Sequence, residues 1–378
     1  MRPGLIEKVN FPDLDGLRFF SFFLVFLAHS IISDSPAIQN SDWYHHLNRT
    51  ATSGGEIGVS FFFVLSGFLI TYLLLKEKGM RGKIDLGSFY LRRTLRIWPL
   101  YYFVVIFGFN IFPLIKHYFG QTPLETADPV LCSTFLNNYD RIRHGEPDSS
   151  LLGVLWSVAI EEQFYLFWPL LFCIVPEKFY RLLIMMVISV SVAFRFFFRH
   201  DPVTDLQTPG VIADLAIGGL GAELMLNNAR FRMRVTNWPK VVIVSAIVLV
   251  PLLIEFNYQI FAIPSLFVIK RLVFGLTFIT IILYQSFNAK PLFRISKSKA
   301  LTELGKRTYG LYCLHGLGIL ISMTLLRKLH LFEKSWQMFF LEIPFSLLLA
   351  VLIAWTSFAF LETPFLKWKK KFSHVIKE

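Results

Sequence analysis

The chain has 378 residues, of which 54% are hydrophobic and only 17% charged, with a formal net charge of +12. That balance, with a mean hydropathy of +0.53, excludes an ordinary water-soluble domain. Nucleic acid is not the implied partner, because no soluble face gathers the basic residues; the bias of Lys and Arg toward the cytoplasmic loops of membrane proteins accounts for the charge.

Apolar runs of about 18 to 22 residues, each able to cross roughly 30 Å of hydrocarbon, recur along the whole length. They lie near 13–32, 57–75, 97–115, 151–175, 180–198, 210–227, 241–256, 264–286, 308–326 and 338–361. The pattern predicts an all-α, polytopic membrane protein, a bundle of about ten transmembrane helices forming a single domain over 1–378.

The first run carries Asp15 and Arg18 near its start and no small-residue cleavage site after it, so it reads as a retained span rather than a signal peptide. Arg18 and His29 are eleven residues apart, which puts them within about 20° of each other and about 16 Å apart along the helix. Asp15 falls on the same side. An ionisable group at mid-membrane costs about 2.5–3.5 kcal/mol, so this stripe must face protein or water, as the wall of a passage would. An imidazole with an ordinary pKa near 6.5 suits general-base work, which makes His29 the leading catalytic candidate; a hydrogen-bonded packing histidine is the alternative.

After the second run come Lys76, Lys78, Arg81, Lys83, Arg92, Arg93 and Arg96. The same set of loops continues with Arg230, Arg232 and Arg234, with Lys290, Arg294, Lys297, Lys299, Lys306 and Arg307, and with Lys367, Lys369, Lys370 and Lys371. The alternate loops carry Asp34, Asp42, Glu56, Glu125, Asp128, Asp140, Glu146 and Asp148. Both termini are therefore expected in the cytoplasm. Topology alone explains Arg93 and Arg96, yet two guanidinium forks one turn apart also suit a diphosphate.

The connection 116–150 holds Pro123, Pro129, Asn137, Asn138, Gly145 and Pro147, the composition of an irregular outer loop able to roof a site. In the fourth run Ser157, Glu161 and Tyr165 share one helix face while Glu162 points elsewhere; Glu161 is suited to orient an imidazolium or to bind acceptor hydroxyls. Asp214 and Glu223 in the sixth run and His315 in the ninth, behind Thr308, Tyr309 and Tyr312, could line the same interior and read as structural rather than catalytic. Lys270 and Arg271 interrupt the eighth run and are expected to snorkel at its outer end. Cys132, Cys173 and Cys313 show no metal-ligand spacing, so no metal site and no disulfide framework is expected.

Taken in order, Leu14-Asp15-Gly16-Leu17-Arg18 with His29, the Gly58 to Phe68 stretch, Arg93-Thr94-Leu95-Arg96-Ile97-Trp98-Pro99, the Leu155 to Tyr165 stretch, Tyr309 to His315 and Glu362-Thr363-Pro364 resemble the acyltransferase-3 family of membrane-bound O-acyltransferases. The resemblance covers essentially the whole chain. It implies transfer of an acyl group, most often acetyl, from cytoplasmic acyl-CoA to a hydroxyl of a glycan such as lipopolysaccharide O-antigen or exopolysaccharide, in the bacterial inner membrane. It makes His29 and Glu161 the expected catalytic residues and Arg18, Arg93 and Arg96 the expected contacts of acyl-CoA. Asp15, Ser157, Tyr165 and Glu162 are expected to bind substrate. The chain differs from relatives at Thr208-Pro209-Gly210, where an arginine is frequent, and in the third guanidinium of Arg92. It resembles the form without an added soluble domain.

The expected reaction is removal of a sugar hydroxyl proton by His29 as oxygen attacks the thioester, with an acyl-histidine intermediate as the variant. The rival from another class is a transporter of glycans or small anions, since intramembrane Asp, Arg and His also mark substrate pathways. The chain shows no inverted internal repeat of the kind many transporters carry.

Overall fold

The computed structural model describes residues 11–33, 35–331 and 333–369; Asp34, Lys370 and Lys371 of the charge pattern lie outside them. Among the described residues the chain is helical, without a strand. Its frame is ten long helices: α1 (Pro12–Ser30), α2 (Asp42–Arg81), α3 (Leu86–Tyr118), α4 (Ser150–Ile174), α5 (Glu177–Phe197), α6 (Thr208–Asn227), α7 (Lys240–Ile260), α8 (Pro264–Phe287), α9 (Thr308–Lys328) and α10 (Ser335–Trp368).

Nine of these, α2 to α10, are long and apolar enough to cross a membrane. The protein is thus an integral, multi-pass membrane protein. α1 differs because Asp13, Asp15 and Arg18 occupy its first two turns. Its 19 residues nevertheless reach about 28 Å, and its charges are matched by protein. Asp13, 2% exposed, accepts from Arg294 Nη1 at 3.0 Å and from the Ser296 backbone N–H at 2.8 Å. Arg18 is bonded to Asp15.

Local chemistry sets several helix ends. Gly82, at φ 73°, closes α2 through its N–H to the Lys78 carbonyl at 2.7 Å, a left-handed position that favours glycine. Asp85 then caps α3 by accepting from the Ser88 N–H at 3.0 Å. α2 runs through 40 residues, well beyond the apolar run at 57–75.

The centre of the bundle is α2 against α6. A Cβ built on Gly218 would lie 2.1 Å from the Val64 carbonyl oxygen, and one on Gly67 would lie 1.9 Å from that of Leu215. The two backbones touch because glycine leaves room, the usual device where lipid supplies no hydrophobic drive between helices. Phenylalanine covers the periphery: Phe197 is 75% exposed, Phe340 74% and Phe360 81%, on faces suited to lipid.

Two expectations are corrected by the fold. The connection 116–150 is not irregular throughout: it contains helices Pro129–Ser133 and Asn137–His144. It is pinned to the bundle, with the Tyr101 hydroxyl donating to the Cys132 carbonyl at 2.6 Å and Gln163 Nε2 of α4 donating to the Phe135 carbonyl at 2.9 Å. Lys270 and Arg271 do not snorkel. They are 6% and 2% exposed, because carboxylates from three other elements enclose them. Lys270 pairs with Glu56 of α2 and, at 3.1 Å, with Asp205. Arg271 pairs with Asp205 at 3.0 Å and with Asp214 of α6 at 3.1 Å. Arg195 of α5 adds a 2.6 Å contact to Asp205.

Candidate active site

α1, α2, α3, α4 and α9, with the short helix Lys299–Lys306, enclose a cavity of about 140 Å³. That is below the roughly 300–1,000 Å³ of pockets that envelop a whole small ligand, so it suits the end of a long molecule. Its charged lining is Arg18, Arg93, Arg96, Lys306 and Glu161, four cations against one carboxylate. The short helix reaches Arg18 because Gly305 lies against the Asp15 backbone, where a Cβ would come within 1.9 Å of the carbonyl oxygen.

Arg93 and Arg96 project from adjacent turns of α3 into the cavity. Arg93 lies over the Tyr165 ring at 5.4 Å and the Phe89 ring at 5.7 Å, which orients the guanidinium without consuming its donors. Among the described residues neither Arg93 nor Arg96 is within ion-pair distance of a carboxylate, so both forks are open to an anionic ligand. Arg92 is turned away, to Glu77 at 3.5 Å.

On α4, the predicted face is formed. Glu161 accepts from the Tyr165 hydroxyl at 2.7 Å, and Tyr165 is hydrogen-bonded to Ser66 of α2. Ser157 bonds the Tyr312 hydroxyl of α9 at 2.5 Å. Glu162 faces away from the cavity and accepts from Trp98 Nε1 at 3.1 Å. Asp15 holds Arg18 rather than lining the cavity itself.

His29 lies beyond this chamber, exposed at the opposite end of α1, and is not among its lining residues. The cavity stops at Val59, Phe62, Ser157, Val158 and Tyr312, where the Phe62 and Tyr312 rings meet edge to face at 5.6 Å. Past Tyr312, one turn along α9, comes His315. Its Nε2 is 3.0 Å from Nδ1 of His29. The hydrogen-bond partner of His29 is therefore His315, not Glu161, which is committed to Tyr165.

Sequence reasoning read His315 as structural, named Tyr312 only as its neighbour on the ninth run, and counted Lys306 only among the loop cations. The available signal was the spacing of Tyr309, Tyr312 and His315, three residues apart on one helical face.

A family model described as an acyltransferase domain matches residues 11–359. The chain belongs to the acyltransferase-3 family. A Bacillus subtilis relative named "Putative peptidoglycan O-acetyltransferase YrhL" is 36% identical over 169 residues, 42% of this chain and 23% of the relative. A Staphylococcus aureus (strain COL) relative named "Putative O-acetyltransferase SACOL0978" is 26% identical over 393 residues, 94% of this chain and 57% of the relative. Peptidoglycan O-acetyltransferase OatA of Listeria monocytogenes is 31% identical over 166 residues, 42% of this chain and 23% of the relative. The chain thus spans little more than half, or less, of the curated relatives it matches. No solved structure matches it. Membership of an acyltransferase family weighs against the transporter alternative.

Proposed function

We propose that the protein transfers an acetyl group from acetyl-CoA to a glycan hydroxyl, with peptidoglycan, the acceptor in the names of two relatives, as the nearest model. The observation that carries this reading is the polarity of the site: open guanidinium groups at one end of a cavity, and a paired imidazole just past its other end.

The phosphates of the donor dock on Arg93, Arg96 and Lys306, and the arm of the coenzyme threads toward Tyr312. Arg18 and Glu161 line its path. The basic end faces the cytoplasm of a bacterial cell, the side that the distribution of Lys and Arg favours, with both termini on that side. The acceptor approaches from the other side, below the 116–150 connection. Arg141 of that connection lies over the Trp156 ring at 5.8 Å, close enough to act electrostatically on both His29 and Tyr312.

His29 takes the proton of the sugar hydroxyl as its oxygen attacks the thioester carbonyl. The new C–O bond forms, the C–S bond breaks, and His29 returns the proton to the departing thiolate. Such general-base assistance contributes about 10²- to 10⁴-fold.

The test is acetyl transfer from labelled acetyl-CoA to a peptidoglycan fragment by purified H29A protein of verified fold. Activity should fall by about the same 10²- to 10⁴-fold while coenzyme A binding persists. Wild-type turnover by that variant would remove the proposal.

A further inference from the structure

We infer that His315 positions His29 by fixing its tautomer, so that the basic nitrogen is Nε2 and the proton-bearing one is Nδ1. The inference rests on His29 being the base, as proposed above.

His315 is 0% exposed. Its Nδ1 lies 2.8 Å from the backbone carbonyl oxygen of Tyr312 and 3.3 Å from that of Leu311. A carbonyl oxygen only accepts, so this nitrogen carries a hydrogen. A second proton on the ring would place a cation between Phe22 and Phe26, whose rings stand 5.7 and 6.4 Å away. No carboxylate pairs with His315 among the described residues, and an unpaired buried charge is costly. The ring is therefore neutral and presents a bare lone pair at Nε2.

Only a donor satisfies that lone pair, and the atom 3.0 Å away is Nδ1 of His29. His29 must therefore hold its hydrogen there. What remains is Nε2 of His29 without a hydrogen, the lone pair that a hydroxyl proton needs. The chain of bonds ends at a backbone carbonyl, which takes no proton. His315 thus orients the base and holds it through the imidazolium stage without relaying protons. It touches neither donor nor acceptor, so it is a positioning residue.

The experiment uses the full chain in proteoliposomes with acetyl-CoA and a peptidoglycan fragment. H315L removes the acceptor, whereas H315Q returns an amide oxygen near the position of Nε2. H315L should lower kcat about tenfold to a hundredfold with KM for acetyl-CoA nearly unchanged, and H315Q should recover most of the loss. Nitrogen-15 spectra of His29 in wild-type protein should show Nε2 as the bare nitrogen. A bare Nδ1 in that spectrum overturns the inference without any variant. So does wild-type kcat in H315L, or failure of H315Q to recover activity while its donor KM stays normal. If H29A is itself fully active, the proposed base is wrong; if H29A is dead and H315L is not, only the tautomer assignment falls.

Discussion

The hydroxyl of Tyr312 and Oγ of Ser157 stand 2.5 Å apart, and this contact closes the cavity on the side of the imidazole pair. The same tyrosine holds His315 through its backbone carbonyl at 2.8 Å. One residue therefore forms both the end wall of the chamber and a support of the His315 ring. In this structure the chamber does not run through to His29, so the proposed transfer would require the Tyr312 ring to move.

The end wall should set the length of acyl group accepted. Phe62, Val59 and Val158 complete it, and a methylene gained or lost in an apolar pocket is worth about 1–3 kcal/mol. F62A is expected to raise kcat/KM for butyryl-CoA relative to acetyl-CoA by about tenfold or more. An unchanged ratio would mean that the acyl group does not reach this wall.

Donor binding should depend on Arg93 and Arg96 separately from turnover. Hydrogen bonds to charged groups contribute about 1.5–3 kcal/mol each, so R93Q or R96Q should weaken coenzyme A binding about ten- to a hundredfold. R96K should recover only part of this, because an ammonium lacks the planar fork. Calorimetric titration in detergent measures it; unaltered affinity in both glutamine variants would place the phosphates elsewhere.

The buried ion cluster of α2, α5, α6 and α8 is expected to dominate stability. Removing one partner of such a pair costs about 3–5 kcal/mol by stranding the other, so R271M should melt well below the wild type, and D214N, which loses a carboxylate that Ser60 also donates to at 2.7 Å, should follow. Melting in detergent that matches the wild type would make the cluster energetically neutral.

Acid should act through Asp205. Burial alone pushes this carboxyl up, but Arg271, Lys270 and Arg195 outweigh it and hold the group well below its ordinary value of 3.8. A depressed native pKa stabilises fully above the unfolded value and is lost as pH falls through the native one. Stability of the wild type should therefore decline below about pH 4, and D205N, weaker at neutral pH, should show a shallower decline. Parallel pH profiles for the two proteins would contradict this.

The α2–α6 contact has no slack at Gly218. Alanine there would drive a Cβ to 2.1 Å from the Val64 carbonyl oxygen and 2.6 Å from the Phe68 nitrogen, both backbone atoms that cannot swing aside. G218A should cost about 1–3 kcal/mol and also disturb Ser60 against Asp214, since both lie on the separated helices. A melting temperature equal to wild type would show that the interface can spread without penalty.

The amino-acid sequence by itself determined what depends on neighbours along the chain. Hydrocarbon crossing is a property of each run, so the all-α membrane class was legible. So was the projection of Arg93 and Arg96 from one turn of α3, and the shared face of Ser157, Glu161 and Tyr165, because helical periodicity is local. The tertiary structure alone decided which of these groups meet. His29 and His315 are 286 positions apart, and nothing in either flank announces the other. Lys270 and Arg271 looked like groups seeking the membrane surface because their carboxylates, Glu56, Asp205 and Asp214, come from distant segments. Partners across a bundle are chosen by close backbone packing such as that of Gly67 and Gly218, summed over many small contacts, and no window of sequence contains that sum.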